Sequence, residues 1–153
     1  MSLVAPHTLV MVIDDDVELR QSVADLLRLE GYEVRALPSA DAAWCDLGLG
    51  LRPALIILDL WIPGMTSGEF VRRLRAAPSP RIPVLVLSGS RSPNAIEAEV
   101  DAVSQKPIEA TTLVRAVDRL VKDRARVTSP KRRPAQRSPR ATRSTPGGRR
   151  SAS

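Results

Sequence analysis

The sequence predicts a doubly wound α/β domain over residues 8–123. Three observations predict it. Short apolar runs alternate with helical patterns, several of those runs carry no polar interruption, and acids, a hydroxyl or a lysine follow them directly. Uninterrupted apolar strands are buried on both faces, the condition of a parallel sheet covered by helices.

The elements follow in order. Thr8 to Ile13 (TLVMVI) reads as a fully buried first strand. Leu19, Val23, Leu26 and Leu27 recur at helical spacing, and Gly31 stops that helix. Tyr32, Val34 and Ala36 alternate with Glu33 and Arg35, so the second strand shows one polar face and belongs at an edge. Ser39 caps a second helix carrying Ala43, Trp44 and Leu47, which breaks at Gly48–Gly50. Trp44 reads as packing and Cys45 as a small, partly buried hydrophobe.

Ala54 to Leu58 (ALIIL) is the next buried strand and ends in Asp59. The loop LWIPGMTSG leads to a third helix around Glu69–Ala76. Pro83 to Leu87 (PVLVL) ends at Ser88-Gly89, and Val100 to Ser104 forms a weak last strand before Lys106-Pro107. Leu113, Val117, Leu120 and Val121 line a closing helix. This makes five strands and about five helices, without internal repeat.

Length and composition agree. The chain has 153 residues, 43% hydrophobic and 26% charged, enough for one ordinary domain. No apolar run approaches the ~20 residues that span a bilayer. Residues 1–7 form an extension without the features of a secretory signal. Cys45 is the sole cysteine, which excludes an internal disulfide and a cysteine-based metal cluster, so a cytoplasmic location is expected.

Charge divides the chain. Residues 1–123 hold 13 Lys/Arg against 17 Asp/Glu, while residues 124–153 hold 10 Lys/Arg and no acid. The second stretch is rich in Arg, Pro and Ser, with Val127 its one large aliphatic residue. It buries too little to offset its ordering entropy, so residues 124–153 are expected to be a disordered basic tail.

In such sheets ligands gather at the carboxyl ends of the strands. Asp14, Asp15, Asp59, Ser88 and Lys106 each fall just after a predicted strand. Singly, each has a plainer role. Asp15 with Glu18 fits a capping box, Asp59 and Ser88-Gly89 suit turns, and Lys106 suits a solvated surface. Their shared position favours one site.

Four pieces in this order, VMVIDDD at 10–16, LIILDLWIPGM at 55–65, VLVLSGS at 84–90 and QKPIE at 105–109, resemble the receiver domain of two-component response regulators. The resemblance implies a flavodoxin-like fold with strand order 2-1-3-4-5. It also implies that Asp59 is the phosphoacceptor, taking a phosphoryl group from a histidine kinase phosphohistidine. Asp14, Asp15, Asp59 and the backbone carbonyl of Trp61 would hold Mg²⁺, a cation suited to oxygen ligands. Lys106 and Ser88 would contact the phosphoryl oxygens. The Lys106-Pro107 bond is cis in the family. The implied role is signalling rather than enzymatic turnover: partners would be a sensor histidine kinase and a downstream protein or phosphotransfer partner, with no membrane.

Three departures from the family stand out. Val103 occupies a position where the family usually has an aromatic switch residue. Ser88 and Lys106 are about one helical turn closer than usual, which shortens the fourth helix around Pro93. The loop to Gly68 looks one residue long, with Thr66-Ser67 before the glycine. Trp61 either limits water access to the acceptor or packs beside Pro63.

With no output domain legible after the receiver, the sequence reads as a stand-alone regulator. Residues 124–153 suit non-specific nucleic-acid contact, since clustered cations release counterions from a phosphate backbone. Two rival readings follow. One is a non-phosphorylated receiver-like scaffold tethered by its basic tail to nucleic acid or an acidic partner. The other is a phosphatase using Asp14 and Asp16, an Asp-x-Asp pair followed by Glu18 instead of the usual Thr or Val.

Overall fold

The computed structural model describes residues 7–78, 80–89 and 99–128. Five parallel strands form one sheet: β1 (Leu9–Ile13), β2 (Glu33–Leu37), β3 (Leu55–Asp59), β4 (Val84–Ser88) and β5 (Ala102–Gln105). Their order is β2-β1-β3-β4-β5, as expected, with the alternating strand β2 at one edge. Helices α1 (Val17–Leu29), α2 (Ala40–Gly48), α3 (Ser67–Ala76) and α4 (Ala110–Thr128) surround it.

Strand alternation divides the core between the two faces. Met11, Ile13, Ile56, Leu58, Val84 and Val86 pack with α2 and α3, around Ala43, Leu47, Phe70 and Val71. Val10, Val12, Leu55, Ile57, Leu85 and Leu87 pack on the other side with Val23 and Leu27 of α1 and with Leu113, Val117 and Leu120 of α4. Every residue of β3 and β4 is buried, which is why these two strands read as continuous apolar runs. Trp44 packs edge-on against Phe70 with ring centroids 6.3 Å apart, as its helical position predicts.

The helix starts are capped by side chains that satisfy free backbone amides. Asp16 accepts from Leu19 N, Ser39 from Ala42 N and Thr66 from Glu69 N. The α1 cap is thus Asp16, not Asp15. Gly31, at φ 97°, turns the chain out of α1 into β2.

Several boundaries differ from the sequence expectation. β5 begins at Ala102 because Asp101 uses its own side chain to accept the Val84 amide at 2.8 Å. Gly68 lies inside α3, whose first residue is Ser67. Cys45 is exposed, since the inner face of α2 is Ala40, Ala43 and Leu47. The closing helix does not end at residue 123 but continues to Thr128. Arg124 explains this: it follows Leu113, Val117 and Leu120 on the inner face and donates to Pro53 O at 2.8 Å. The segment expected to form a shortened fourth helix falls largely on residues 90–98, outside the described residues, as do residues 129–153.

Candidate functional site

The site is built where β1, β3, β4 and β5 end. Asp14 follows β1, and its amide continues the sheet by donating to Leu37 O at 3.1 Å. Its carboxylate is buried and both oxygens are engaged: Oδ1 accepts from Asp16 N at 3.0 Å and Oδ2 from Lys106 Nζ at 3.3 Å. Arg20 of α1 donates to Asp14 O at 2.8 Å, which ties the helix to the strand end.

Asp59 is the last residue of β3 and is 7% exposed. Its Oδ1 lies 3.1 Å from Lys106 Nζ and accepts from Trp61 N at 3.5 Å. Carboxylate oxygens of Asp14, Asp15 and Asp59 all lie within 4.8 Å of one another, with Asp15 exposed and the other two buried. Like charges this close repel unless a cation compensates them. Lys106 supplies one such cation. An all-oxygen set with one member open to solvent also suits a hard divalent cation that keeps some of its water.

The electrostatics record this crowding. Burial raises the Asp14 carboxyl above its usual value, and the Asp59 charge adds to the effect; the Asp16 amide and Lys106 oppose it. Burial works against the Lys106 ammonium as well. The bond to Asp59 and the charges of Asp14 and Asp59 outweigh that cost, so Lys106 sits above the ordinary lysine value and stays charged.

Lys106 is placed by β5. Its amide donates to Ser88 O at 2.8 Å, and the next peptide bond, Lys106-Pro107, is cis. Ser88 is buried at the end of β4, opposite Gln105 in register. Asp59 pairs in register with Leu87, so Ser88 lies one residue beyond it on the neighbouring strand. The five expected side chains thus converge on one end of the sheet.

The loop after Asp59 is held from two directions. Ser67, 3% exposed, lies within hydrogen-bond distance of both Asp59 O (2.8 Å) and Leu60 O (2.9 Å), its hydroxyl as donor. Asp41 of α2 accepts from Met65 N at 3.1 Å, next to Gly64 at φ 80°. A side chain on Gly64 would run into the Asp41 carboxylate. The sequence reading missed Ser67, Arg20 and Asp41. A serine one residue after a helix cap is the one visible signal for Ser67, while Arg20 and Asp41 act on the Asp14 carbonyl and the Met65 amide and leave no pattern in the sequence. Trp61 is 69% exposed and stands largely in solvent beside the site. Val103 is 39% exposed on the edge strand.

Three clustered acids and a lysine at the carboxyl ends of a 2-1-3-4-5 sheet define a doubly wound α/β domain with an acidic pocket. The comparisons identify the family: residues 10–118 match the response regulator receiver domain, and the chain belongs to that family. It is 32% identical over 118 residues to the two-component response regulator ORR6 of Oryza sativa subsp. japonica, an alignment covering 72% of this chain and 69% of that one. It is 31% identical over 115 residues to the transcriptional regulatory protein FixJ of Rhizobium meliloti, covering 72% of this chain but 55% of FixJ. The chain therefore spans about half the length of that relative. Among solved structures, the chemotaxis response regulator CheY4 of Vibrio cholerae superposes with a TM-score of 0.67 at 28% identity, covering 74% of this chain and 98% of that chain. Receiver domains are signalling domains, and no helix among the described residues is long and apolar enough to cross a membrane.

Proposed function

We propose that this chain accepts a phosphoryl group on Asp59 from the phosphohistidine of a sensor histidine kinase. The observation that carries the reading is the contact of Lys106 Nζ with both Asp59 and Asp14, beside the three-carboxylate cluster. In the transfer an Asp59 carboxylate oxygen forms a bond to phosphorus while the phosphorus–nitrogen bond to the donor histidine breaks. The imidazole leaves with the electron pair of that bond, and the aspartyl residue becomes an acyl phosphate.

Asp14, Asp15 and Asp59 are the residues that would hold Mg²⁺, together with the backbone carbonyl of Trp61. When bound, the ion would offset charge on the transferring group. Lys106 stabilises the same charge from the β5 side by direct hydrogen bonding, and the Ser88 hydroxyl serves as a donor to one phosphoryl oxygen. Ser67 keeps the Asp59 backbone fixed while the carboxylate reacts. The signal then passes by partner binding or by onward phosphotransfer, in a cytoplasmic setting.

The test uses a small donor with a phosphorus–nitrogen bond, phosphoramidate, with Mg²⁺ and intact-mass detection. The wild type is expected to gain one phosphoryl group and Asp59→Asn none. Equal labelling of both proteins would remove Asp59 from the role.

A further inference from the structure

A cavity of about 330 Å³ opens at the end of the sheet opposite Asp59, where α2 and α3 finish and β3 and β4 begin. Its volume falls in the range of small-molecule sites. Trp44 and Leu47 of α2, Leu74 of α3, Ala77 at the end of α3 and Ile82 before β4 form apolar walls. Leu47 and Ile82 belong to the buried core, and Trp44 and Leu74 pack against it, so the walls are continuous with the packed interior. The edge-on contact with Phe70 holds the Trp44 ring in place.

Among the described residues that line this cavity, Arg52 is the one that carries a charge. Its NH1 donates to Leu47 O at 2.8 Å and to Leu51 O at 2.9 Å, which fixes the guanidinium at the rim. Nε and NH2 of Arg52 make no hydrogen bond among the described residues, so one side of the fork is left to a ligand. Asp46, next to Leu47 in sequence, does not compete for it, because Arg35 holds that carboxylate at 2.6 Å. The carbonyl ends of α2 and α3 carry partial negative charge, which works against an anion. NH1 offsets it at Leu47 O, and Arg73 and Arg75 do so in the last turn of α3.

We propose that this cavity binds a small aromatic monocarboxylate of one or two rings, its carboxylate on Arg52 and its ring among Trp44, Leu47 and Leu74. A guanidinium pairs with a carboxylate through charge-assisted bonds in a planar fork, and an aromatic ring gains from offset or edge contact with an indole. A cationic ligand would meet Arg52 with no acid in the lining to compensate it. A phosphate or polyol would leave the apolar walls uncovered. The site lies at the far end of the sheet from the acid cluster, so it does not depend on the phosphoacceptor reading.

The experiment titrates the full chain with 4-phenylbutyrate by calorimetry and compares it with 4-phenylbutan-1-ol, which lacks the charge. The acid is expected to bind saturably at one site with a Kd below about 1 mM, as suits a ligand of this size. The alcohol is expected to bind at least ~10-fold more weakly. Arg52→Met keeps an apolar stem and removes the guanidinium; it is expected to weaken the acid at least ~10-fold and leave the alcohol unchanged. Ala77→Phe fills the cavity, leaves the Arg52 bonds to Leu47 O and Leu51 O in place, and is expected to abolish binding of both. Chemical denaturation verifies that each variant is folded. In a Trp61→Phe background Trp44 is the sole tryptophan, and its emission is expected to change as the acid saturates. Absence of saturable binding to the wild type, an alcohol that binds as tightly as the acid, unchanged acid binding in either folded variant, or unchanged Trp44 emission would each overturn the proposal. Phosphoryl labelling of Asp59 is read separately, so either reading can fail without the other.

Discussion

Lys106 Nζ lies 3.1 Å from Asp59 Oδ1, and the same ammonium reaches the Asp14 carboxylate across 92 positions of sequence. One cation therefore joins three strand ends, β1, β3 and β5. Replacing it leaves two buried acids and their exposed neighbour Asp15 uncompensated. Lys106→Met is expected to lower stability by about 3 kcal/mol in chelator, the low end for a broken buried pair. Added Mg²⁺ should restore part of that loss by mass action. Chemical denaturation with and without the ion measures both effects.

Tyr32 is the only tyrosine, is 5% exposed, and donates its hydroxyl to Asp118 of α4. Burial first, then the Asp118 carboxylate, pushes its phenol well above the usual 10.0. The native state therefore holds this proton more tightly than the unfolded chain does. That stabilisation is complete below about pH 10 and is lost as pH rises through the native value. Tyr32→Phe is expected to cost about 1–2 kcal/mol at neutral pH. The gap between the two proteins should close above pH 10, with tyrosinate absorbance appearing only on unfolding.

Asp101 joins three donors at the entry to β5: Arg75 at 2.9 Å, Arg81 at 3.2 Å and the Val84 amide at 2.8 Å. Arg75 also donates to Ile82 O and Glu99 O, so one half-buried guanidinium fastens α3 to the segments leading into β4 and β5. Asp101→Ala leaves Arg75 and the Val84 amide short of acceptors. A loss of about 2 kcal/mol is expected, set mainly by the buried Val84 amide and measurable as a lowered denaturation midpoint. Arg81→Ala, which removes the more exposed partner, should cost less than ~1 kcal/mol.

The Ser67 hydroxyl is the one side-chain donor directed at the carbonyls of Asp59 and Leu60 among the described residues. Ser67→Ala is expected to cost about 1–2 kcal/mol. Because the freed backbone carries the acceptor, phosphoryl labelling should also slow several-fold at a temperature where the variant remains folded. A stability loss with an unchanged labelling rate would confine Ser67 to a structural role.

Much of this molecule was legible in its sequence, for identifiable reasons. β1, β3 and β4 are buried on both faces, so they leave uninterrupted apolar runs, and strand ends then fix where Asp14, Asp59 and Ser88 must lie. β2 shows its edge position through the alternation of Val34 with Glu33 and Arg35. The parts that were not legible depend on contacts distant in sequence. The length of α4 depends on Arg124 reaching Pro53, and the start of β5 depends on the Asp101 side chain capturing the Val84 amide. The anchoring of the acceptor loop by Ser67 and Asp41 rests on hydrogen bonds to backbone groups, which leave no periodic trace. The exposure of Trp61 and Cys45 likewise follows from which face of an element turns inward, a matter that single residues do not announce.

The central claim is that the acid cluster and Lys106 make Asp59 a cation-assisted phosphoacceptor. Intact mass after incubation with phosphoramidate, with Mg²⁺ or with chelator, tests it on the wild type and on Asp14→Asn. One added phosphoryl group on the wild type only when Mg²⁺ is present, with strongly reduced labelling of Asp14→Asn, is the predicted result. Labelling that is indifferent to both Mg²⁺ and the Asp14 carboxylate, or no labelling of the wild type under any condition, would contradict it.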